Sequence, residues 1–215
     1  MTESPPTHDD HGFPAGFFRR SDPSPDTQFY AFDRLVTHID DRAIAAVGSL
    51  YHHLGLTGRV LDLMSSWISH FRTPPEHLTV LGMNTNELAA NEAAAERVVH
   101  DLNADPSLPF ADGSFDAAVC CVSVDYLVQP IDVFREVHRV LGPGGVFVCT
   151  FSNRCFPTKA INGWLRSDDD GRVAIVVEYF RRSGGWAEPE AALCTPPYTP
   201  GDPLYAVWAS TSPAD

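Results

Sequence analysis

Small polar residues gather where short apolar runs of this sequence stop. Residues 59–63 are followed by Met64, Ser65, Ser66 and Trp67, and residues 78–82 by Met83, Asn84, Thr85 and Asn86. Residues 97–100 lead into Asp101, Leu102 and Asn103, and a fourth run over 115–124 carries Ser123, Val124, Asp125 and Tyr126 at its end. Hydroxyls, amides and carboxylates concentrated in this way can hold a polar ligand by many directed hydrogen bonds. Other groups have chemistry of their own. Tyr30, Arg34 and His38 fall at i, i+4 and i+8, one face if the segment is helical. An imidazole at His38 can act as a base near neutral pH, and a surface or capping histidine is the plainer alternative. Arg154, in the aromatic-rich loop 151–159, can clamp a carboxylate or pair with an acid of its own chain. The five cysteines form no C-x-x-C pair and no zinc-like Cys/His spacing, so no metal site is expected.

The elements that must position these groups can be read from periodicity. Ile44, Val47, Tyr51 and Leu54 share one helical face, and Gly55 and Gly58 stop that helix. The run 59–63 is bounded by glycine and reads as a buried strand, and 78–82, 97–100, 115–124 and 146–151 follow as four more. Ala- and Glu-rich residues 86–97 predict a helix, as does the amphipathic stretch 131–141, ended by Gly142-Pro143-Gly144-Gly145. A last helix runs through Val173, Val176, Val177 and Phe180 to Gly184-Gly185, with Asp168-Asp169-Asp170 at its N-terminus. Residues 204–209 form a final strand reached by a hairpin-like return. Strands alternating with helices, and apolar without a two-residue alternation, indicate parallel βαβ units covered on both faces. The expected fold class is therefore α/β: a doubly wound sheet, mostly parallel, with an antiparallel last strand. In such a sheet ligands sit at the carboxyl ends of the strands, where the four polar clusters lie. Residues 1–28, proline-rich and polar, are expected to form a mobile N-terminal arm, with Phe13, Phe17 and Phe18 as a reason for it to fold over the domain instead. Residues 29–215 are expected to form a single domain.

Several segments carry a resemblance to a known family. Val60-Leu61-Asp62-Leu63, then Asp101 with Leu108-Pro109-Phe110-Ala111-Asp112-Gly113-Ser114-Phe115-Asp116, then Phe134-Arg135-Glu136-Val137-His138-Arg139-Val140-Leu141-Gly142-Pro143-Gly144-Gly145 match in order and spacing. They resemble the class I S-adenosylmethionine-dependent methyltransferases, in the small-molecule branch related to ubiquinone/menaquinone methyltransferases, over roughly residues 40–155. The resemblance implies a Rossmann-like domain, S-adenosyl-L-methionine as cofactor and methyl transfer to a small-molecule acceptor by in-line displacement. It implies cofactor contacts from Asp62, Met64, Ser65, Ser66, Asn84, Thr85, Asp101, Leu102 and Ser123. Asp101 would accept from the adenine amino group beside the Leu102 backbone, and Asp62 would orient the loop or meet the methionine ammonium. Two positions depart from the family pattern: Met64-Ser65-Ser66 stands where G-x-G is customary, and Asn84 replaces the acid that binds the ribose. These departures leave an alternative, a cofactor-binding module that has lost methyl transfer. The acceptor-side candidates are Tyr30, Arg34, His38, Asp125, Tyr126 and Arg154; the reaction itself demands no particular catalytic residue.

Composition narrows the partners. A formal net charge of −13 on 215 residues repels phosphate backbones and anionic lipid, so neither nucleic acid nor a membrane surface is expected as a partner. No apolar run approaches the roughly 20 residues that cross a bilayer. Unpaired cysteines within apolar runs point to a reducing, cytoplasmic setting. The oligomeric state is not legible.

Overall fold

A computed structural model describes residues 11–212 of the chain. Residues 1–10 of the expected arm lie outside the described residues. The centre is a seven-stranded sheet in the order β3-β2-β1-β4-β5-β7-β6. Its strands are β1 (Arg59–Leu63), β2 (His77–Gly82), β3 (Glu96–Val99), β4 (Phe115–Cys121), β5 (Leu141–Phe151), β6 (Glu190–Leu193) and β7 (Tyr205–Ser210). The first five are mutually parallel, and β7 runs antiparallel between β5 and β6. This is the Rossmann-like arrangement expected, with the antiparallel last strand. Register brings Leu63 opposite both Leu81 and Cys120, so β1, β2 and β4 end at one level. The chain's strand order reverses between β1 and β4, and a crevice opens there.

Both faces of the sheet are covered, which explains the continuous apolar strands. On one face α2 (Asp41–His53) lays Val47, Leu50 and Tyr51 over Val60, Val80 and Val119. On the other, α4 (Pro130–Val140) and α6 (Asp169–Ser183) bring Phe134, Tyr179 and Phe180 against Phe147. Helix starts follow the local chemistry. Asp40 accepts from Ala43 N at α2, Asp168 accepts from Gly171 N at α6, and Pro130 opens α4 where no backbone N–H is needed.

Four expectations change. The helix over 86–97 is only α3 (Thr85–Ala90). Asn91 leaves helical geometry, and the Arg97 side chain takes the carbonyls of Leu88 and Asn91. Gly142–Gly145 is not a simple stop: β5 begins at Leu141, and its pairing with β4 is irregular between Phe115 and Ala117. Strand β6 had no signal, being a short, mostly exposed edge. Residues 30–38 are not helical; after α1 (Asp26–Phe29) the chain runs in turns and bends to α2.

From His11 on, the expected mobile arm is packed against the domain. Phe13 and Phe18 lie 5.8 and 6.2 Å from the Tyr179 ring. Phe17 covers Gly163, where a Cβ would fall 2.2 Å from its ring, and Gly163 N donates to Phe17 O. An ion cluster fastens the next stretch of chain. Lys159, fully buried, places Nζ 3.1 Å from Asp22 Oδ2 and 3.2 Å from Asp26 Oδ1. Arg20 and Asn103 also donate to the buried Asp26 carboxylate. Burial alone would raise the Asp26 pKa, but these donors outweigh it and hold it below the ordinary value. Three phenylalanines and a paired lysine supply the anchoring that the arm's average composition concealed. The segment from Arg20 to Ile39 thereby becomes a strap across the carboxyl ends of the strands. Helix α5 (Asn162–Leu165) comes directly after the loop that carries Lys159.

Candidate functional site

Between the strand ends and the strap lies a cavity of about 270 Å³. Its floor is made by the turns after β1 and β4. Met64 has φ +53° and Val122 φ +46°, a left-handed backbone that side-chain-bearing residues rarely adopt. Met64 thus keeps the conformation a glycine would supply at the head of the loop, and holding it costs on the order of 1–2 kcal/mol. Backbone strain of this kind concentrates at functional sites. The loop closes tightly: Ser65 N donates to Leu81 O at 2.8 Å, and a Cβ on Gly82 would fall 2.3 Å from Ser65 O. Ser123 donates to Cys121 O at 3.0 Å on the same floor.

Asp62 is buried beneath this loop. Burial pushes its carboxyl up to about 6 in spite of Ser69 and Ser65 hydroxyls donating to Oδ2 at 2.5 and 2.8 Å. Its hydrogen bonds thus run to the segment that follows β1. Met64, Ser65 and Ser66 line the cavity, and so does Trp67, which forms a wall without filling it. Trp67 Nε1 donates to Val36 O at 3.1 Å and ties the strap to the loop.

At the end of β2 the Asn84 side chain lies at the cavity but is fully engaged. Its Oδ1 accepts from the backbone N–H groups of Asn86 and Glu87, capping α3, and its Nδ2 donates to Tyr30 O and Asp33 Oδ1. Thr85 is carried away from the cavity by that same turn and is exposed in the first turn of α3; its expected cofactor contact is not supported. Glu87, not singled out from the sequence, occupies the wall instead. Its carboxylate accepts from Ser66 Oγ at 2.5 Å and from Arg34 N at 2.7 Å. The spacing Asn84-x-x-Glu87 is that of a capping box, the signal that would have marked it. His70, also missed, lines the cavity with a buried Nδ1 that has no protein partner among the described residues.

After β3, Asp101 Oδ1 accepts from Asn103 N and Ala104 N at 3.0 and 3.2 Å. Its Oδ2 has no protein donor among the described residues. Leu102, buried beside it, lines the cavity. After β4 the two candidates separate. Tyr126 faces the cavity with its hydroxyl accepting from Phe156 N at 2.9 Å. Asp125 does not line the cavity. It points into the protein behind it, where burial pushes its carboxyl up to about 8 and leaves Oδ2 unpartnered. An acceptor-orienting role for Asp125 therefore lacks access. The 3-10 turn Val124–Tyr126 causes the separation, sending adjacent side chains in different directions.

Tyr30, Arg34 and His38 do meet at the cavity, though through the strap's turns rather than a helix. The Arg34 guanidinium stands 4.5 Å over the Phe29 ring and 5.8 Å over Phe156. His38 lies against the same Phe156 at 5.3 Å, on the rim. Burial, aided by the Arg34 charge and opposed by Glu87, holds the His38 pKa below its ordinary value, so the ring is neutral at pH 7. Arg154 reaches the mouth, with Asp202 at 3.9 Å. Among the described residues no group of three or more His, Cys, Asp or Glu is placed to hold a metal. A nucleoside with a sulfonium arm fits the groups present: a free acceptor at Asp101, a left-handed loop whose serine hydroxyls are held by Asp62 and Glu87, and aromatic faces suited to a cation.

Comparison with known proteins agrees with this geometry. A family described as "Methyltransferase domain" matches residues 56–149. The ubiquinone/menaquinone biosynthesis C-methyltransferase of Methylobacterium nodulans is 37% identical over 82 residues, covering 35% of this chain and 32% of that protein. A malonyl-[acyl-carrier protein] O-methyltransferase of a Marinomonas species is 27% identical over 123 residues, 54% of this chain and 43% of that one. The chain thus spans well under two thirds of the relatives it matches. Among solved structures, the Burkholderia thailandensis 1,6-didemethyltoxoflavin-N1-methyltransferase, with bound 1,6-didemethyltoxoflavin and S-adenosylhomocysteine, superposes with a TM-score of 0.59 at 16% identity, covering 80% of each chain. The [4+2]-cyclase SpnF gives 0.56 at 14% identity, covering 80% of this chain and 82% of that one. Sheet order, cleft and sequence match converge on one conclusion: residues 56–149 form a methyltransferase domain of the class I, S-adenosylmethionine-dependent family.

Proposed function

We propose that this chain transfers a methyl group from S-adenosyl-L-methionine to a small-molecule acceptor. The observation that carries the proposal is the cavity at the β1/β4 reversal, with hydroxyls and carboxylates on its sheet side and aromatic and basic groups on its strap side. The cofactor, when bound, brings an already activated methyl group; the protein's task is alignment and exclusion of water. Asp101 Oδ2 and the Leu102 backbone hold the adenine, and Ser65 and Ser66 hold the amino-acid end over a loop set by Asp62. Glu87 takes the acidic place beside the ribose. Asn84 acts indirectly, by fixing Glu87 and the strap. Met64 and Ser123 shape the floor. On the acceptor side, Tyr30, Tyr126 and Arg34 orient the molecule, Arg154 guards the mouth, and neutral His38 is available to take a proton.

The acidic net charge supports a small-molecule acceptor over nucleic acid. The five free cysteines, two of them fully buried in the sheet, support a reducing compartment such as the cytoplasm. No described helix is long and apolar enough to cross a membrane.

Calorimetric titration with S-adenosylhomocysteine, followed by incubation with S-adenosylmethionine and a metabolite extract, tests the proposal. One-site binding and acceptor-dependent release of S-adenosylhomocysteine are expected. Absence of binding overturns the cofactor assignment, and binding with no turnover from any acceptor overturns the methyl transfer.

A further inference from the structure

On the strap side of the cavity one cation has no ion-pair partner. Arg34 lines the cavity, and its guanidinium makes one hydrogen bond, to Phe32 O at 3.3 Å. No carboxylate of the described residues lies within ion-pair distance of it. Seven of the fourteen arginines make no ion pair among the described residues, and of these seven Arg34 alone lines the cavity. Arg20, Arg139, Arg172 and Arg182 each meet a carboxylate at 2.7–2.9 Å. The acids nearest in sequence and space are already committed. Glu87 accepts from Ser66 Oγ and from the backbone N–H of Arg34 itself, and Asp33 accepts from Asn84 and Asn86. The guanidinium is also partly desolvated by the rings of Phe29, Tyr30 and Phe156, at 4.5, 6.0 and 5.8 Å. A planar fork of donors with ring faces beside it suits a planar anion, bound edge-on. The space it faces is walled by Trp67, Tyr126 and Phe156, surfaces that select a flat ring. A cationic acceptor would meet a guanidinium that no carboxylate pairs.

Resting on the methyltransferase reading, we infer that the acceptor is a planar aromatic anion, its ring against the walls formed by Trp67 and by the Tyr126–Phe156 pair and its charge on Arg34. Arg34 is then the residue that sets acceptor specificity, and Arg154 at the mouth, loosely paired with Asp202, adds attraction without geometry.

The test titrates three probes into the protein saturated with S-adenosylhomocysteine: 4-hydroxybenzoate, 4-hydroxybenzamide and cyclohexanecarboxylate. The benzoate is expected to bind at least about tenfold more tightly than either the uncharged amide or the non-aromatic acid, the scale of one charge-assisted contact. Arg34→Gln brings the acid-to-amide ratio close to one, and Arg34→Lys keeps part of it, because charge survives but the fork does not. Circular dichroism of both variants confirms the fold. Equal affinity for acid and amide, an unchanged ratio in Arg34→Gln, or no binding of any probe at millimolar concentration overturns the inference. Failure of S-adenosylhomocysteine to bind would instead overturn the methyltransferase reading; the same three titrations on the protein alone still decide the acceptor class.

Discussion

The two walls of the cavity are held by different forces. The sheet wall is the end of a parallel ladder. Its residues continue from strands whose backbone groups are paired on both sides, and two left-handed turns at Met64 and Val122 are tolerated because that ladder fixes the residues before them. The strap wall has no ladder. From Arg20 to Ile39 it rests on the Lys159 cluster, on Trp67 and Glu87 gripping Val36 O and Arg34 N, and on stacked rings. A wall made from a few side-chain contacts opens at lower free energy than one made from strands. The sheet wall thereby suits the invariant part of the chemistry, and the strap wall the part that must admit and release an acceptor.

The largest test of this contrast is Lys159→Met. Removing one partner of a buried ion cluster costs about 3 kcal/mol or more. Urea unfolding should show that loss, and limited proteolysis should show cleavage concentrated in residues 20–38 while the sheet remains protected. Uniform cleavage would erase the distinction between the walls.

The next test uses pH. Asp62 and Asp125 hold their protons more tightly when folded, at about 6 and about 8, than the ordinary 3.8. The folded state therefore binds more protons than the unfolded one between these values. Their contribution to stability is fully present below the ordinary value and falls as pH rises through 6 and then 8. Asp125→Asn should remove the upper part of that decline in urea unfolding measured at pH 5.5 and 8.5. An unchanged slope would mean that Asp125 does not titrate there.

Smaller effects belong to the sheet wall. Asp101→Ala should weaken S-adenosylhomocysteine binding about tenfold by calorimetry, the value of one well-placed hydrogen bond, and unaltered affinity would take Asp101 out of the adenine site. Met64→Gly should raise stability by up to about 1 kcal/mol, because glycine adopts the left-handed turn without strain. A loss instead would show that packing of the Met64 side chain outweighs its backbone strain.

Legibility in the sequence divides along the same line. Strands β1, β2 and β4 were plain because buried parallel strands are continuous apolar runs; the polar residues after β1 and β3 marked Ser65, Ser66 and Asp101 for the cavity, and the family resemblance marked Asp62. Periodicity failed where tertiary contacts rule. Strand β6 is an exposed edge with nothing to bury, and α3 stops at Asn91, whose buried side chain donates to Ser66 O and Ser69 Oγ while Arg97 takes the freed carbonyls, although the residues beyond favour a helix. The strap was misread for a deeper reason. Asp26 meets Lys159 across 133 positions of sequence, and no local pattern encodes such a pair. Tyr30, Arg34 and His38 were correctly grouped by spacing yet are gathered by a folded loop, and Asp125 was misplaced because adjacent residues of a 3-10 turn face opposite ways.

The ammonium of Lys159 has one more consequence. It is the chain's sole lysine and it is wholly enclosed. An acylating reagent directed at side-chain amines therefore has a single target, reachable only while the covering segment is lifted. The rate at which that one position becomes labelled, with and without a bound small molecule, is a built-in clock for how often the door swings.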